Sequence, residues 1–212
     1  MTTDPTTLTQ HDGKPVPWIT RWTGEVVQEP YGIQRTPTGV LVGYPDGNEN
    51  REASGLLWQR EGLNRSGVPM WADVNTYRQR ACIARCKCQV CGAAIDGRPI
   101  PWLMPTAEYN MLEEDGTLRT TTAPICRECV PLALELCPGL PKMGWTLLHV
   151  AEYEVWGAFA EVVLIQDEQV RRIPPMDVAY SGPPQVLRQA VARQQIARLT
   201  KFVAAERGGG KA

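Results

Sequence analysis

Cys88-Gln89-Val90-Cys91-Gly92 and Cys126-Arg127-Glu128-Cys129 are the stretches that decide the local fold, because each contains a Cys-x-x-Cys pair. Zinc prefers four soft or borderline ligands in a tetrahedron, and two such pairs supply four thiolates from two small turns. The glycine after the first pair tolerates the positive φ that lets the chain turn back past the sulfurs. The sequence therefore predicts one structural Zn²⁺ ion held by Cys88, Cys91, Cys126 and Cys129.

The residues around the two pairs indicate a treble-clef-like zinc module. The second pair leads into Val130–Cys137, a helical run stopped by Pro138-Gly139, so its thiolates would lie near a helix N-terminus that favours negative charge. Between the pairs, residues 99–104 and 117–122 fit either a hairpin or a longer loop. Knuckle, hairpin and helix in this order are typical of a treble clef. Neither pair lies in a βαβ pattern, which disfavours a redox role.

Three further cysteines, Cys82, Cys86 and Cys137, lie on predicted helices or at their ends. We interpret them as small buried hydrophobic residues. An alternative makes Cys86 a metal ligand in place of Cys88. That alternative loses the tight two-residue turn of the first pair, so we rank it lower.

Composition and charge exclude some classes of protein. The 212 residues include 43% hydrophobic residues, with 22 basic and 23 acidic side chains and a formal charge of -1. The net charge of such a chain does not attract it to nucleic acid or to anionic membrane, so any such contact needs a local cluster of basic residues. The N-terminus shows no signal-peptide pattern, and no stretch approaches the length of a membrane span. We therefore expect a cytoplasmic protein with reduced cysteines.

Turn residues and hydrophobic periodicity predict an α+β fold in which antiparallel strands flank the zinc module. Strands are expected over Trp145–Tyr153 and Val155–Gln166, and a C-terminal helix over Gln185–Glu206 that packs on the domain or is offered to a partner. The predicted parts are a disordered tail at 1–16, a β-rich N-terminal part at 17–71, a zinc module with a basic helix at 72–140, a strand-strand-helix part at 141–206 and a disordered tail at 207–212.

A helix capped by Asp73 is expected beside the first cysteine pair, with a basic outer face. No acidic residue lies between Val74 and Ile95. A run of this kind is commonly just a solvated face, and it also suits contact with phosphate or an acidic partner. The predicted C-terminal helix carries more arginines. The candidate nucleic-acid or partner contacts are Arg78, Arg80, Arg85, Lys87, Arg188, Arg193 and Arg198.

Catalytic signatures are weak in this sequence. A zinc-motif nuclease of the HNH class needs histidines for its metal and general base. The two histidines are His11, in the predicted tail, and His149, in a predicted strand, and neither lies beside the cysteine pairs. Four cysteines leave zinc no open coordination position. We therefore expect a protein that is not an enzyme.

Seven short runs carry a resemblance to known proteins: 78–82, 88–92, 102–103, 122–126, 136–138, 156–157 and 192–195. They resemble a group of small zinc-motif proteins carried by actinobacteria and their phages. One role among small phage proteins of this size and near-neutral charge is the recombination directionality factor, which binds a serine integrase already on DNA and turns integration into excision. The resembling residues do not themselves point to that role, so a protein partner engaged with DNA is a hypothesis from size, charge and phage context.

Two functional hypotheses follow. In the first, the protein is a non-enzymatic, zinc-stabilised regulatory or adaptor protein that docks on a protein partner in a DNA transaction, a serine integrase being one example. In the second, the protein binds nucleic acid directly through its basic helix, with an affinity that falls steeply as salt rises.

Overall fold

Strands make up most of the regular structure, and the helices are short. The computed structural model describes residues 8–28, 32–37, 39–47, 50–166 and 169–210. In chain order the strands are β1 (Gln10–His11), β2 (Lys14–Pro15), β3 (Thr20–Trp22), β4 (Gly32–Thr36), β5 (Gly39–Gly43), β6 (Leu57–Trp58), β7 (Pro69–Val74), β8 (Ile100–Pro105), β9 (Leu118–Thr120), β10 (Trp145–Gln166), β11 (Gln169–Ala179) and β12 (Ala190–Gly208). The helices are α1 (Thr76–Ala84), α2 (Thr106–Tyr109), α3 (Val130–Leu136), α4 (Gly139–Met143) and α5 (Pro184–Gln189). No helix within these ranges is long and apolar enough to cross a membrane.

β10 and β12 form a long antiparallel pair that runs from Trp145 opposite Gly208 to Val162 opposite Ala190. The other edge of β10 pairs with β8 along its first part and with β11 from Gly157 onward, both antiparallel. β12 pairs on its other edge with β6 in parallel and with β9 antiparallel. This mixed sheet is the platform on which the short helices and the cysteine-containing segment are placed. The α+β prediction is confirmed.

Helices α1 and α5 pack at opposite ends of this platform. Ile83 of α1 is fully buried against Trp102 of β8 and Leu148 of β10. At the other end, Leu187 of α5 packs into a separate cluster with Trp58 of β6. Burying side chains of this size stabilises a fold by about 1.5–3 kcal/mol each. The two clusters therefore hold the sheet at both ends.

The predicted C-terminal helix over Gln185–Glu206 is wrong beyond its first turn. Only α5 is helical, and the chain from Ala190 to Gly208 is a strand. Helix propensity is a weak preference that tertiary context overrides. Here β12 pairs with β10 on one edge and with β6 and β9 on the other. Its Ile196 and Leu199 are buried.

Two predicted strands are in fact one, because β10 runs without interruption through Glu154. The predicted disordered tail at 1–16 is also wrong for its described part. β1 and β2 form a small antiparallel hairpin, and Leu8 and Val16 beside it are buried. The C-terminal tail begins later than predicted, since β12 extends to Gly208. Residues 1–7 and 211–212 lie outside the described ranges.

The segment between the cysteine pairs does not form a hairpin of its own. β8 pairs with β10, whereas β9 pairs with β12, so the two strands enter the sheet at different places. The helix before the first pair is α1, whose N-cap is Asn75 rather than Asp73. The Asn75 side chain accepts a hydrogen bond from the Arg78 amide at 3.2 Å, as a helix cap does.

Candidate metal centre

The first cysteine pair lies in a tight turn. The Cys88 amide donates to the Ala93 carbonyl at 2.8 Å, and the Gly92 amide donates to the Cys88 carbonyl at 2.8 Å. Gly92 has a φ of +75°, the left-handed region in which only glycine is free of strain. The turn therefore folds back over its own sulfur atoms, as the sequence predicts for a zinc knuckle.

The chain near the N-terminus packs on this knuckle. The Trp18 amide donates to the Val90 carbonyl at 2.8 Å, and the Ile19 amide donates to the Gln89 carbonyl at 3.0 Å. The Trp18 ring lies so close to Gly92 that a Cβ built at residue 92 would be 2.8 Å from it. The knuckle is thus fixed from outside as well as by its own hydrogen bonds.

The second cysteine pair lies at the start of a helix. Cys126 to Cys129 span a turn of 3-10 helix, in which the Cys129 amide donates to the Cys126 carbonyl at 3.0 Å. α3 follows at once, with Cys129 as its N-cap residue. Gln89 links the two pairs. Its backbone amide donates to the Pro124 carbonyl at 2.9 Å, and its side-chain amide donates to the Ala123 carbonyl at 3.0 Å.

The four sulfur atoms of Cys88, Cys91, Cys126 and Cys129 form one cluster in which all lie within 4.8 Å of one another. The Sγ atoms of Cys91 and Cys126 are 3.9 Å apart. Ligand bonds of 2.3 Å in a tetrahedral tetrathiolate zinc site place the sulfurs about 3.8 Å apart. The residues therefore fit a four-coordinate metal ion, and the structure brings together the predicted ligands.

Burial and charge suit such an ion. Cys88 and Cys129 are buried, while Cys91 and Cys126 are half-buried. Hydrogen bonds with Cys126 and Cys129 lower the pKa of Cys88 to about 7, and the same neighbours lower the pKa of Cys91. The pKa of Cys129 is raised, most strongly through its hydrogen bond with Cys126. Such a cluster shares its protons, and a divalent ion that binds thiolates would displace them.

The remaining cysteines lie outside this cluster. Cys82 is fully buried, and burial raises the pKa of its thiol, which fits its interpretation as a small hydrophobic residue. Cys86 is half-buried and does not replace Cys88 among the four sulfurs. Cys137 is exposed, so its interpretation as a buried residue is wrong. It follows the last turn of α3, where the chain leaves the module.

Arg78 lies inside the protein instead of on a basic surface. Its guanidinium donates to both carboxylate oxygens of Glu25, at 2.6 and 2.7 Å, and to the Thr20 carbonyl at 2.7 Å. The Glu25 side chain is completely buried. Arg78 is therefore a buried structural residue that ties α1 to the N-terminal strands, which removes it from the predicted contacts.

The other predicted contacts near the cysteines lie closer to the surface. Arg80 is half-buried, is ion-paired with Glu52 and stacks 4.5 Å from the centroid of the Trp58 ring. Arg85 is exposed. Lys87 is half-buried, with Nζ 5.6 Å from the centroid of the Trp18 ring. The outward-facing charge of this helix is thus smaller than the sequence indicates.

The C-terminal arginines are spread along α5 and β12. Arg188 is exposed on α5. Arg193 donates to Glu161 at 3.1 Å, and Arg198 donates to Asp115 at 2.6 Å. Because Arg193 and Arg198 lie on β12 and only Arg188 lies on a helix, the three do not form the basic helical face that the sequence predicts. His11 and His149 take no part in the sulfur cluster.

An apolar groove beside the metal centre was missed from the sequence. It has a volume of about 770 Å³ and lies between the N-terminal strands and the helices after the second cysteine pair. Val90 of the knuckle and Leu136 of α3 line it, together with Trp71 of β7. Trp71 is 52% exposed. Only the pairing of β3 with β7 places it there.

No family model, curated protein or solved structure matches the chain. The site's own geometry therefore carries the functional argument.

Proposed function

We propose that the protein is a non-enzymatic, zinc-stabilised adaptor that binds a protein partner. The observation that carries this proposal is the closed cluster of four cysteine sulfurs beside an exposed apolar groove. Four protein ligands complete a tetrahedral shell and leave no position for a water or substrate. The metal's role is then to hold the groove walls in place.

Zinc is the ion that we propose for Cys88, Cys91, Cys126 and Cys129. A tetrahedral set of four thiolates suits zinc or iron, and zinc sites of this kind are structural. When bound, the ion supplies a redox-inert cross-link. We propose a treble-clef-like module on the basis of the knuckle and of the helix that follows the second pair. Its intervening strands pair with β10 and β12 instead of with each other, unlike the hairpin of a treble clef.

A protein partner engaged in a DNA transaction is the class that we propose, and a serine integrase bound to DNA is the first candidate. The resemblance to phage and actinobacterial zinc-motif proteins supports this choice, as does the formal charge of -1. Direct binding of nucleic acid finds less support. Arg78 is buried, and Arg80, Arg193 and Arg198 already pair with carboxylates of this chain.

The test is affinity capture with the zinc-loaded chain from cells of its native host, with and without nuclease treatment. We expect a stoichiometric protein partner that is retained after nuclease digestion. A gel shift with the integrase of the same genome on its attachment-site DNA then tests the first candidate. Loss of every partner on nuclease treatment, with the chain alone shifting DNA at low salt, would favour the nucleic-acid hypothesis instead.

A further inference from the structure

The four clustered sulfurs differ in how far solvent can reach them. Cys88 and Cys129 are 0% and 2% exposed and belong to a buried apolar cluster, whereas Cys91 and Cys126 are half-buried and only pack against that cluster. An oxidant must touch a sulfur to react with it, so susceptibility to oxidation follows exposure and thiolate character. The reachable sulfurs of the metal centre are therefore one from each Cys-x-x-Cys pair.

The two reachable sulfurs also contact each other. The Sγ atoms of Cys91 and Cys126 are 3.9 Å apart. A disulfide bond is about 2 Å long, so these sulfurs need to approach by about 2 Å once they no longer hold a metal ion. A disulfide within either pair needs a buried sulfur, that of Cys88 or of Cys129. Exposure and contact together therefore favour a bond between the pairs over a bond within one of them.

A hydroperoxide is the class of oxidant that suits this chemistry. One thiolate attacks the peroxide, the O–O bond breaks, and a sulfenic acid forms on that sulfur. The second thiolate then attacks the sulfenic sulfur, which forms the S–S bond and expels the oxygen. Two electrons pass from the two sulfurs to one hydrogen peroxide, and two protons from solvent complete two molecules of water.

We propose that hydroperoxide joins Cys91 to Cys126 in a disulfide and thereby releases the zinc of the module. This inference rests on the proposed zinc site and adds a mode of regulation to the proposed adaptor. Two of the four ligands are consumed, and the remaining two, Cys88 and Cys129, are too few to complete a tetrahedral shell. Their thiolates take up protons from solvent instead.

The new bond replaces the metal as the link between the knuckle and α3. Cys91 lies on the knuckle, and Cys126 lies 35 residues later in the turn that precedes α3. A disulfide that closes a loop stabilises a fold by restricting the unfolded chain. The oxidised chain therefore keeps the knuckle fastened to α3 after it has lost zinc. Because a disulfide can be reduced again, the change is reversible.

The experiment adds hydrogen peroxide in steps to the purified, zinc-loaded full chain. A chromogenic zinc chelator reports the zinc released. The remaining thiols are blocked with N-ethylmaleimide in denaturant, and the chain is digested with trypsin without reduction. We expect one zinc ion to be released for each disulfide formed, and dithiothreitol with added zinc should restore the starting state.

Tryptic fragments distinguish the possible disulfides by mass spectrometry. Cleavage after lysine and arginine, except before proline, yields fragments 88–119, 120–127 and 128–142. The proposed bond joins 88–119 to 120–127, with Cys88 alkylated in the first fragment. A bond within the first pair leaves 88–119 unlinked, and a bond within the second pair joins 120–127 to 128–142.

Cys137→Ser is the matched control, because Cys137 is exposed yet lies outside the sulfur cluster. It should release zinc at the same peroxide concentration and give the same linked fragments. The melting temperature is the second measurement. The oxidised chain should melt above the reduced chain from which zinc has been removed by chelation, because only the oxidised form keeps a link between the knuckle and α3.

Several outcomes overturn the inference. These are a bond within either pair, zinc loss without a disulfide, or zinc fully retained in excess peroxide. Equal melting temperatures of the oxidised and the reduced zinc-free chains would contradict a bond that fastens the knuckle to α3. A chain that holds no zinc before peroxide is added refutes the proposed metal site and this inference with it. Capture of a nuclease-resistant partner tests the adaptor function independently of all these results.

Discussion

The Sγ atoms of Cys91 and Cys126 lie 3.9 Å apart and join the knuckle to the turn that begins α3. The two residues are far apart in the sequence, and β8 and β9 leave for the central sheet between them. A metal ion at this point closes a long loop. Closing a long loop restricts the unfolded chain and thereby stabilises the folded one.

Replacing one ligand in each pair should abolish metal binding. We expect Cys88→Ser with Cys126→Ser to lose the bound metal and to lower the melting temperature, because two buried or half-buried ligands are removed. Cys137→Ser is the matched control, since Cys137 is exposed and outside the cluster. Calorimetry of both variants checks this prediction, and equal melting temperatures for the two would refute it.

Gly92→Ala should destabilise the knuckle. The substitution imposes a methyl group at a φ of +75° and 2.8 Å from the Trp18 ring. Left-handed strain costs about 1–2 kcal/mol, and overpacking adds about 1–3 kcal/mol. Gly97→Ala is the control, because Gly97 has a φ of +79° with nothing within 4 Å of an added Cβ. Denaturant unfolding should show the larger loss for Gly92→Ala, and equal losses would mean that the Trp18 contact is unimportant.

Arg78→Ala should be among the most damaging substitutions in the chain. It leaves the Glu25 carboxylate buried without its cation, and breaking a buried pair in this way costs about 3–5 kcal/mol. Lys201→Ala removes an exposed partner of Glu152 and should cost about 0–1 kcal/mol. Urea unfolding of the two variants measures the difference. A small effect of Arg78→Ala would show that the pair contributes little.

Metal removal should raise the rate of hydrogen exchange around the groove more than in the central sheet. The knuckle carries Val90, holds Trp18 and Ile19, and is fastened to the start of α3 through the sulfurs. After chelation, we expect faster hydrogen exchange in residues 8–20, 86–95 and 124–143. Exchange in residues 157–165 and 190–196, at the far end of the platform, should change little. A uniform increase along the chain would mean that the metal supports the whole fold at once.

The metal centre could be predicted from the sequence because its chemistry is local. In each pair, two residues separate the cysteines, and a glycine follows the first pair. This spacing is enough to indicate a knuckle. β12 could not be predicted in this way. Its alanines, glutamines and arginines favour a helix in isolation, and only its long pairing with β10 makes it a strand.

The groove and the buried ion pair were missed for the same reason. Glu25 lies 53 residues before Arg78, so nothing in the sequence around Arg78 indicates its partner. Trp71 is 52% exposed and lies where the pairing of β3 with β7 shifts in register, between Met70 opposite Arg21 and Val74 opposite Thr20. Both features depend on which segments meet in the folded chain, and local patterns carry no information about that.

The most direct test of the central claim is the metal content of the purified full chain, measured by elemental analysis together with its circular dichroism. The account predicts one zinc ion per folded chain, bound by the four clustered cysteines and absent from the Cys88→Ser, Cys126→Ser variant. A well-folded chain without zinc or any other metal would contradict it.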